Sequence, residues 1–152
     1  MSPWLRSGAV MAVVIVLDQA TKALVRSSIA MGDSDGILPG VELVHVRNDG
    51  VAFSRFSGGG TVVAVIVGAA LVALFAYFVT HLDKPLIWLP TGMLLGGALG
   101  NVIDRVRDGG VTDFIKLPAW PAFNVADMSI TFGVLVLLYV TERPRNAATS
   151  DA

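Results

Sequence analysis

The sequence predicts an all-α membrane protein: four transmembrane helices with a small β element at one membrane surface. Two observations carry most of this. Hydrophobic residues make up 54% of the chain and charged residues only 15%, with a mean hydropathy of +0.69, which is too apolar for an ordinary soluble domain. The apolar residues also gather into four runs of about the ~20 residues that a helix needs to cross a ~30 Å hydrocarbon core. At 152 residues the chain suits one compact unit. We expect a single membrane domain over 1–145 and a disordered tail over 146–152.

Span one covers 5–25. The start "MSPWLRSGAVMAVVIVL" has the charged head and apolar run of a secretory signal, with a small-residue site near Ser28 and Ala30. Asp18, Lys22 and Arg26 lie between the two, which makes the segment too long and too charged for cleavage, so it reads as a retained helix. Span two, 60–80, carries no charge. The connection "HLDKP" is a tight turn into span three, 86–105, which runs through "GGALGN" to Asp104 and Arg105. Span four covers 122–141. An even number of spans puts both termini on one side and the two longer connections on the other.

The first long connection, "VELVHVRNDGVAFSRF", has β-branched residues on both sides of Asn48-Asp49-Gly50 and reads as a hairpin turning there. It would lie flat on the membrane beside the second connection, 106–121. Charge does not orient the chain. Arg6, Lys84, Arg143 and Arg145 lie on the side of the termini, and Arg47, Arg55, Arg107 and Lys116 lie in the long connections, so cations show no bias toward either side.

Several functions are excluded at this stage. Without cysteine there is no disulfide, thiolate metal site or cysteine nucleophile. A net charge of -1 and the lack of any Lys/Arg-rich run argue against nucleic acid as a partner. His45 and His81 stand alone, without metal-ligand spacing, and read as surface residues.

An ionisable residue at the centre of a span costs about 2.5–3.5 kcal/mol on insertion scales, so each one needs a reason. Asp18 and Lys22 in "DQATK" are four apart and share a helix face; an intrahelical ion pair and a functional role both fit. In span three, Gly96, Gly97 and Gly100 form a surface that another helix can approach closely. Asn101, Asp104 and Arg105 follow on roughly one side. Asp104 and Arg105 could simply balance the helix end, or the group could face the bundle interior. Asn48 and Gly50 are accounted for by turn chemistry, Gly50 supplying a positive φ.

Asp113 and Asp127 resist such explanations. Asn124 and Asp127 could be the cap and third position of span four. Only 14 uncharged residues separate Asp127 from Glu142, however, and they cover ~21 Å of a ~30 Å core. Asp127 must therefore lie below the surface, a depth that capping alone does not require. Asp113 sits in an apolar re-entry after "RDGG", and the loop "IKLPAWPAF" suits an interfacial fold-back that brings it over Asp127. Two carboxyls that meet in a low-dielectric site would share a proton, the condition for acid/base activation of water.

The blocks "DQATK", "NDGVAFS", "GGALGNVIDR", "VTDFI" and "FNVAD" occur in this order. Together they resemble the lipoprotein signal peptidases, the signal peptidase II family of bacterial membrane aspartic proteases, over nearly the whole chain. The resemblance implies that Asp113 and Asp127 are the catalytic aspartates. It also implies that Asp18, Lys22, Asn48, Gly50, Asn101, Asp104, Arg105, Asn124 and Ala126 line or support the site. It further implies cytoplasmic termini in the bacterial inner membrane, an extracytoplasmic β cradle over 37–56 and an active site at that face. The substrate would be a prolipoprotein bearing diacylglycerol on its lipobox cysteine, cut just before that cysteine, without metal or cofactor. We expect a monomer whose other partner is membrane lipid. The 13 residues between the two aspartates make a shorter loop than some members have. A small transporter or channel would also bury Asp, Lys and Arg, but its expected internal repeat is missing here.

Overall fold

The computed structural model describes residues 1–49 and 59–142. Among these are four helices and three strands: α1 (Pro3–Ser28), β1 (Ser34–Leu38), β2 (Val41–Asn48), α2 (Gly59–Thr80), α3 (Trp88–Asp108), β3 (Val111–Lys116) and α4 (Val125–Glu142). The chain is mostly helical with a small sheet. Helices α1 and α4 are each long and apolar enough to cross a membrane.

Burial is inverted relative to a soluble protein. Val16, Leu24, Val72, Leu135 and Leu138 face outward, while Asp18, Lys22, Asn101, Asp104, Asp113 and Asn124 are inside. Such an arrangement costs least when the surroundings are apolar, because the polar side chains then hydrogen-bond one another and the apolar ones need no protein cover.

Helix α1 opens with Pro3 in its first turn and the Ser2 hydroxyl accepting from the Leu5 N–H, a regular start. Helix α3 is the central helix, and its glycines set how closely its neighbours pack. A Cβ at Gly92 would lie 2.6 Å from the Ser7 carbonyl of α1, and one at Gly97 would lie 2.5 Å from the Ala126 carbonyl of α4. Glycine therefore lets α1 and α4 approach the α3 backbone from two sides. Helix α2 is secured near its C-terminal end, where Phe78 packs with Ile87 and Val140 and meets the Trp4 ring edge-on.

Helix α3 ends at Gly109, which takes a left-handed φ of 75° and returns its N–H to the Arg105 carbonyl. This glycine stop turns the chain into β3. The sheet order is β1-β2-β3 with antiparallel pairs. The hairpin therefore turns at Pro39-Gly40, between β1 and β2, and β2 carries β3 on its other edge. This differs from the hairpin expected at Asn48-Gly50, whose second arm lies outside the described residues, as do 50–56 of the expected cradle and the tail from 143. Strand β1, "SDGIL", is short and contains glycine, so it carries little strand signal, and it is exposed throughout.

The expected fold-back loop is present. The Ile115 and Phe123 backbones pair in both directions, at 2.8 and 3.0 Å, and Lys116 Nζ donates to the Trp120 carbonyl at the tip. His45 is not a surface residue as expected. It is buried, with Nδ1 2.8 Å from the Ile29 carbonyl, where it joins β2 to the end of α1. His81 stacks on Tyr77 at the α2–α3 turn.

Candidate active site

The site forms where the N-terminus of α4 meets β3 and the polar ends of α1 and α3. Asn124 precedes the first turn of α4, and its Oδ1 accepts the Asp127 N–H at 2.9 Å. In return Asp127 Oδ2 accepts the Asn124 N–H at 3.3 Å. This reciprocal capping box fixes the Asp127 side chain at the mouth of the helix. The Asn124 amide nitrogen is thereby aimed the other way, and it donates to Asp113 Oδ1 at 2.7 Å. One asparagine thus holds both carboxyls.

Sheet register supplies the next partner. Val46 lies opposite Asp113, and Asn48 lies opposite Val111, so Asn48 and Asp113 are diagonal neighbours on one face. Asn48 Nδ2 donates to Asp113 Oδ2 at 3.0 Å. Phe114, pointing to the opposite face, packs against Val25 and Ile29 and anchors the strand to α1. On the α3 side, Asn101 Nδ2 donates to Asp127 Oδ1 at 2.8 Å.

Beneath the two aspartates lies a buried ionic cluster. Lys22, Asp18 and Asp104 are all 0% exposed. Lys22 Nζ reaches Asp18 Oδ2 at 2.8 Å, Asp104 Oδ2 at 2.9 Å and Asn101 Oδ1 at 3.1 Å, which engages all three ammonium hydrogens. Each carboxylate also holds a backbone. Asp18 Oδ1 accepts the Ala126 N–H at 3.0 Å, and Asp104 Oδ2 accepts the Thr112 N–H at 3.2 Å. Ala126 precedes Asp127 and Thr112 precedes Asp113, so the cluster grips the chain next to each aspartate. A Cβ at Gly100 would lie 2.7 Å from Asp18 Oδ2, so glycine is needed there to admit the carboxylate.

Among the described residues, no cation forms an ion pair with Asp113 or Asp127; their partners are neutral amides and backbone. Asp113 is 2% exposed, and its pKa is raised from 3.8 to about 6. Burial is the main cause. The hydrogen bond from Asn48 opposes it, the negative charge of Asp127 adds to it, and Asn124 and Lys22 pull the other way. Asp127 is only partly buried. The pair therefore sets a carboxyl that burial disposes to keep its proton beside a more accessible one, an asymmetry suited to general acid and base roles.

Of the residues singled out from the sequence, Asp113, Asp127, Asn48, Asn101 and Asn124 converge directly, and Asp18, Lys22, Asp104 and the Ala126 backbone support them. Arg105 does not join them: it is exposed, and Nη1 donates to the Asn101 carbonyl of its own helix. Gly50 lies outside the described residues. Sequence reasoning missed Gln19 and Thr112. Gln19 is a polar residue inside an apolar span, which was the available signal; Thr112 acts through its backbone, which no residue type announces. Among the described residues, no three His, Cys, Asp or Glu side chains converge as a metal site would require.

The family model described as signal peptidase (SPase) II matches residues 10–142. The lipoprotein signal peptidase of Moorella thermoacetica is 41% identical over 128 residues, covering 83% of this chain and 85% of that protein. The lipoprotein signal peptidase of Halothermothrix orenii is 36% identical over 138 residues, covering 90% and 95%. Two solved bacterial membrane enzyme structures superpose with TM-scores of 0.77 and 0.80, at 33% and 30% identity. The first covers 90% of this chain and 92% of its own, the second 96% and 93%.

Proposed function

The chain belongs to the signal peptidase II family, and from that premise we propose which residues do the chemistry and how. As a member it is a membrane peptidase of the aspartic type that removes signal peptides from prolipoproteins. In our reading the catalytic pair is Asp113 and Asp127, and one observation carries this: the single residue Asn124 holds both carboxyls, that of Asp113 through its amide nitrogen and that of Asp127 through its backbone N–H.

Asp127 is the base: it is the more accessible carboxyl, and Asn101 Nδ2 and Asn124 N hold its two oxygens in place. Asp113 is the acid, because burial keeps its proton. A water between them loses a proton to Asp127 as its oxygen attacks the scissile carbonyl carbon, and Asp113 gives its proton to the carbonyl oxygen. The tetrahedral intermediate then collapses. The C–N bond breaks, Asp127 passes its proton to the leaving amine, and Asp113 recovers its own from the hydroxyl. An apolar substrate seated over the pair would extend the desolvation that already raises the Asp113 pKa.

The substrate in this reading carries diacylglycerol on its lipobox cysteine and is cut just before that residue. The outward apolar faces of the helices receive the acyl chains, while Asn48 and Asn101 offer donors to the substrate backbone. All four helices cross the bacterial inner membrane, with cytoplasmic termini. The sheet and the exposed Trp120 then lie at the extracytoplasmic interface, where tryptophan is favoured. The chain acts as a monomer. Incubation of the purified protein with diacylated and unmodified prolipoprotein, with the products mapped by mass spectrometry, tests this. We expect a new N-terminus at the lipidated cysteine from the diacylated form only; equal cleavage of both forms would refute the lipid requirement.

A further inference from the structure

Gln19 lies in α1 between Asp18 and Lys22, and the mechanism above gives it no role. Its amide nitrogen is within hydrogen-bond distance of Asp104 Oδ1 at 2.9 Å, Asp18 Oδ2 at 3.1 Å and the Gly100 carbonyl at 3.2 Å. The carbonyl end of the same amide accepts from Arg107 Nη1 at 3.4 Å. Both ends are thus engaged, and the amide nitrogen is directed at the two carboxylates. Lys22 joins these carboxylates from one side and Gln19 from the other, so α1 and α3 are linked by a closed ring of four side chains.

The two carboxylates in that ring are the ones that hold the Ala126 and Thr112 N–H groups. Any change in their separation is passed to α4 beside Asp127 and to β3 beside Asp113. Lys22 bridges the two carboxylates as a point charge without a planar geometry of its own. Gln19 adds a second bridge through a planar amide whose other end accepts from Arg107.

We propose that Gln19 is a positioning residue for the peptidase reaction, setting the distance between Asp113 and Asp127 by bridging Asp18 and Asp104. The inference rests on the assignment of those two aspartates as the catalytic pair. Interaction between two carboxyls depends on their separation, so a change in spacing alters the pH profile as well as the rate.

The test compares Gln19→Met, which keeps the length and loses the donors, with Gln19→Glu, which sets a third carboxyl against Asp18 and Asp104. Cleavage of a diacylated prolipoprotein is followed across pH, alongside thermal unfolding and an Asp113→Asn control. In Gln19→Met we expect kcat to fall about ten- to a hundredfold, KM to stay near the parent value, and the limbs of the pH profile to move relative to each other. In Gln19→Glu the deficit should be larger at neutral pH and shrink at lower pH, as the introduced carboxyl takes up a proton and donates again. A folded Gln19→Met with parental kcat and pH profile overturns the inference. So does a lowered melting temperature with an unmoved profile, which means a structural role only. If Gln19→Met fails to fold, the pH dependence of Gln19→Glu decides. An active Asp113→Asn control would instead remove the catalytic assignment beneath the inference.

Discussion

Asn124 Nδ2 donates to Asp113 Oδ1 at 2.7 Å while Asn124 Oδ1 accepts the backbone N–H of Asp127 at 2.9 Å. The capping of a helix and the spacing of two acids are therefore one arrangement. They can be separated by substitution. Serine is about as good an N-cap as asparagine, but its single hydroxyl cannot cap the helix and reach Asp113 as well. Asn124→Ser should melt within a few degrees of the parent and lose activity by about a hundredfold or more. Asn124→Ala should lose the activity and also about 1 kcal/mol of stability. Circular dichroism melts and a cleavage assay on both variants would show it; a fully active Asn124→Ser contradicts the bridge.

A pH dependence follows from Asp113. Its pKa is near 6 in the folded protein against 3.8 normally, so it is protonated at acid pH and loses its proton as pH rises through about 6. With Asp113 as the acid, kcat/KM of the free enzyme should decline as pH rises above about 6. A profile that climbs steadily from pH 5 to 8 would assign the acid role elsewhere.

Stability carries the same signature with a definite sign. Between pH 3.8 and about 6 the folded state holds a proton on Asp113 that the unfolded state has released. The contribution of this residue to stability therefore falls as pH rises through that window and stays low above it. Asp113→Asn removes the buried charge and keeps the shape, so the variant should be at least as stable as the parent at pH 7. Its advantage should disappear below pH 4. Denaturation midpoints at the two pH values measure this directly.

The ionic cluster should behave differently. Lys22 is the cation shared by two fully buried carboxylates. Lys22→Met leaves both without it, and breaking a buried pair from one side costs about 3–5 kcal/mol. We expect loss of folded protein rather than a folded, inactive variant. A Lys22→Met protein with the parental melting temperature would mean that the cluster contributes little to stability.

Helix spacing can be tested at Gly97. A methyl group there would lie 2.5 Å from the Ala126 carbonyl, on the backbone next to Asp127. Gly97→Ala should cost about 1–3 kcal/mol through overpacking and displace Asp127, so activity should fall further than stability suggests. Gly8→Ala, where a Cβ meets nothing within 4 Å, is the matched control.

The sequence was most informative where apolar surroundings made a polar residue costly. Counting the residues left to span the core singled out Asp127, and the loop of prolines and aromatics after Asp113 signalled a return toward it. The Asp18–Lys22 pair was legible from its spacing of four, but Asp104, the second partner of Lys22, comes from another helix and no spacing links them. Asn48 looked like a turn residue because its partner, Asp113, is 65 positions away and meets it only through the register of β2 on β3. The site depends on backbone N–H groups at Thr112 and Ala126, which any residue type could supply. These features belong to the tertiary arrangement, so helix and strand periodicity could not reveal them.

The most direct test of the central claim is single-turnover cleavage of a diacylated prolipoprotein by Asp113→Asn and Asp127→Asn, each first shown to be folded by its melting curve. Asparagine preserves the size of each side chain and most of its hydrogen bonding but cannot exchange a proton. Both variants should bind substrate and release no signal peptide. Substantial cleavage by either one would contradict the assignment of Asp113 and Asp127 as the catalytic pair.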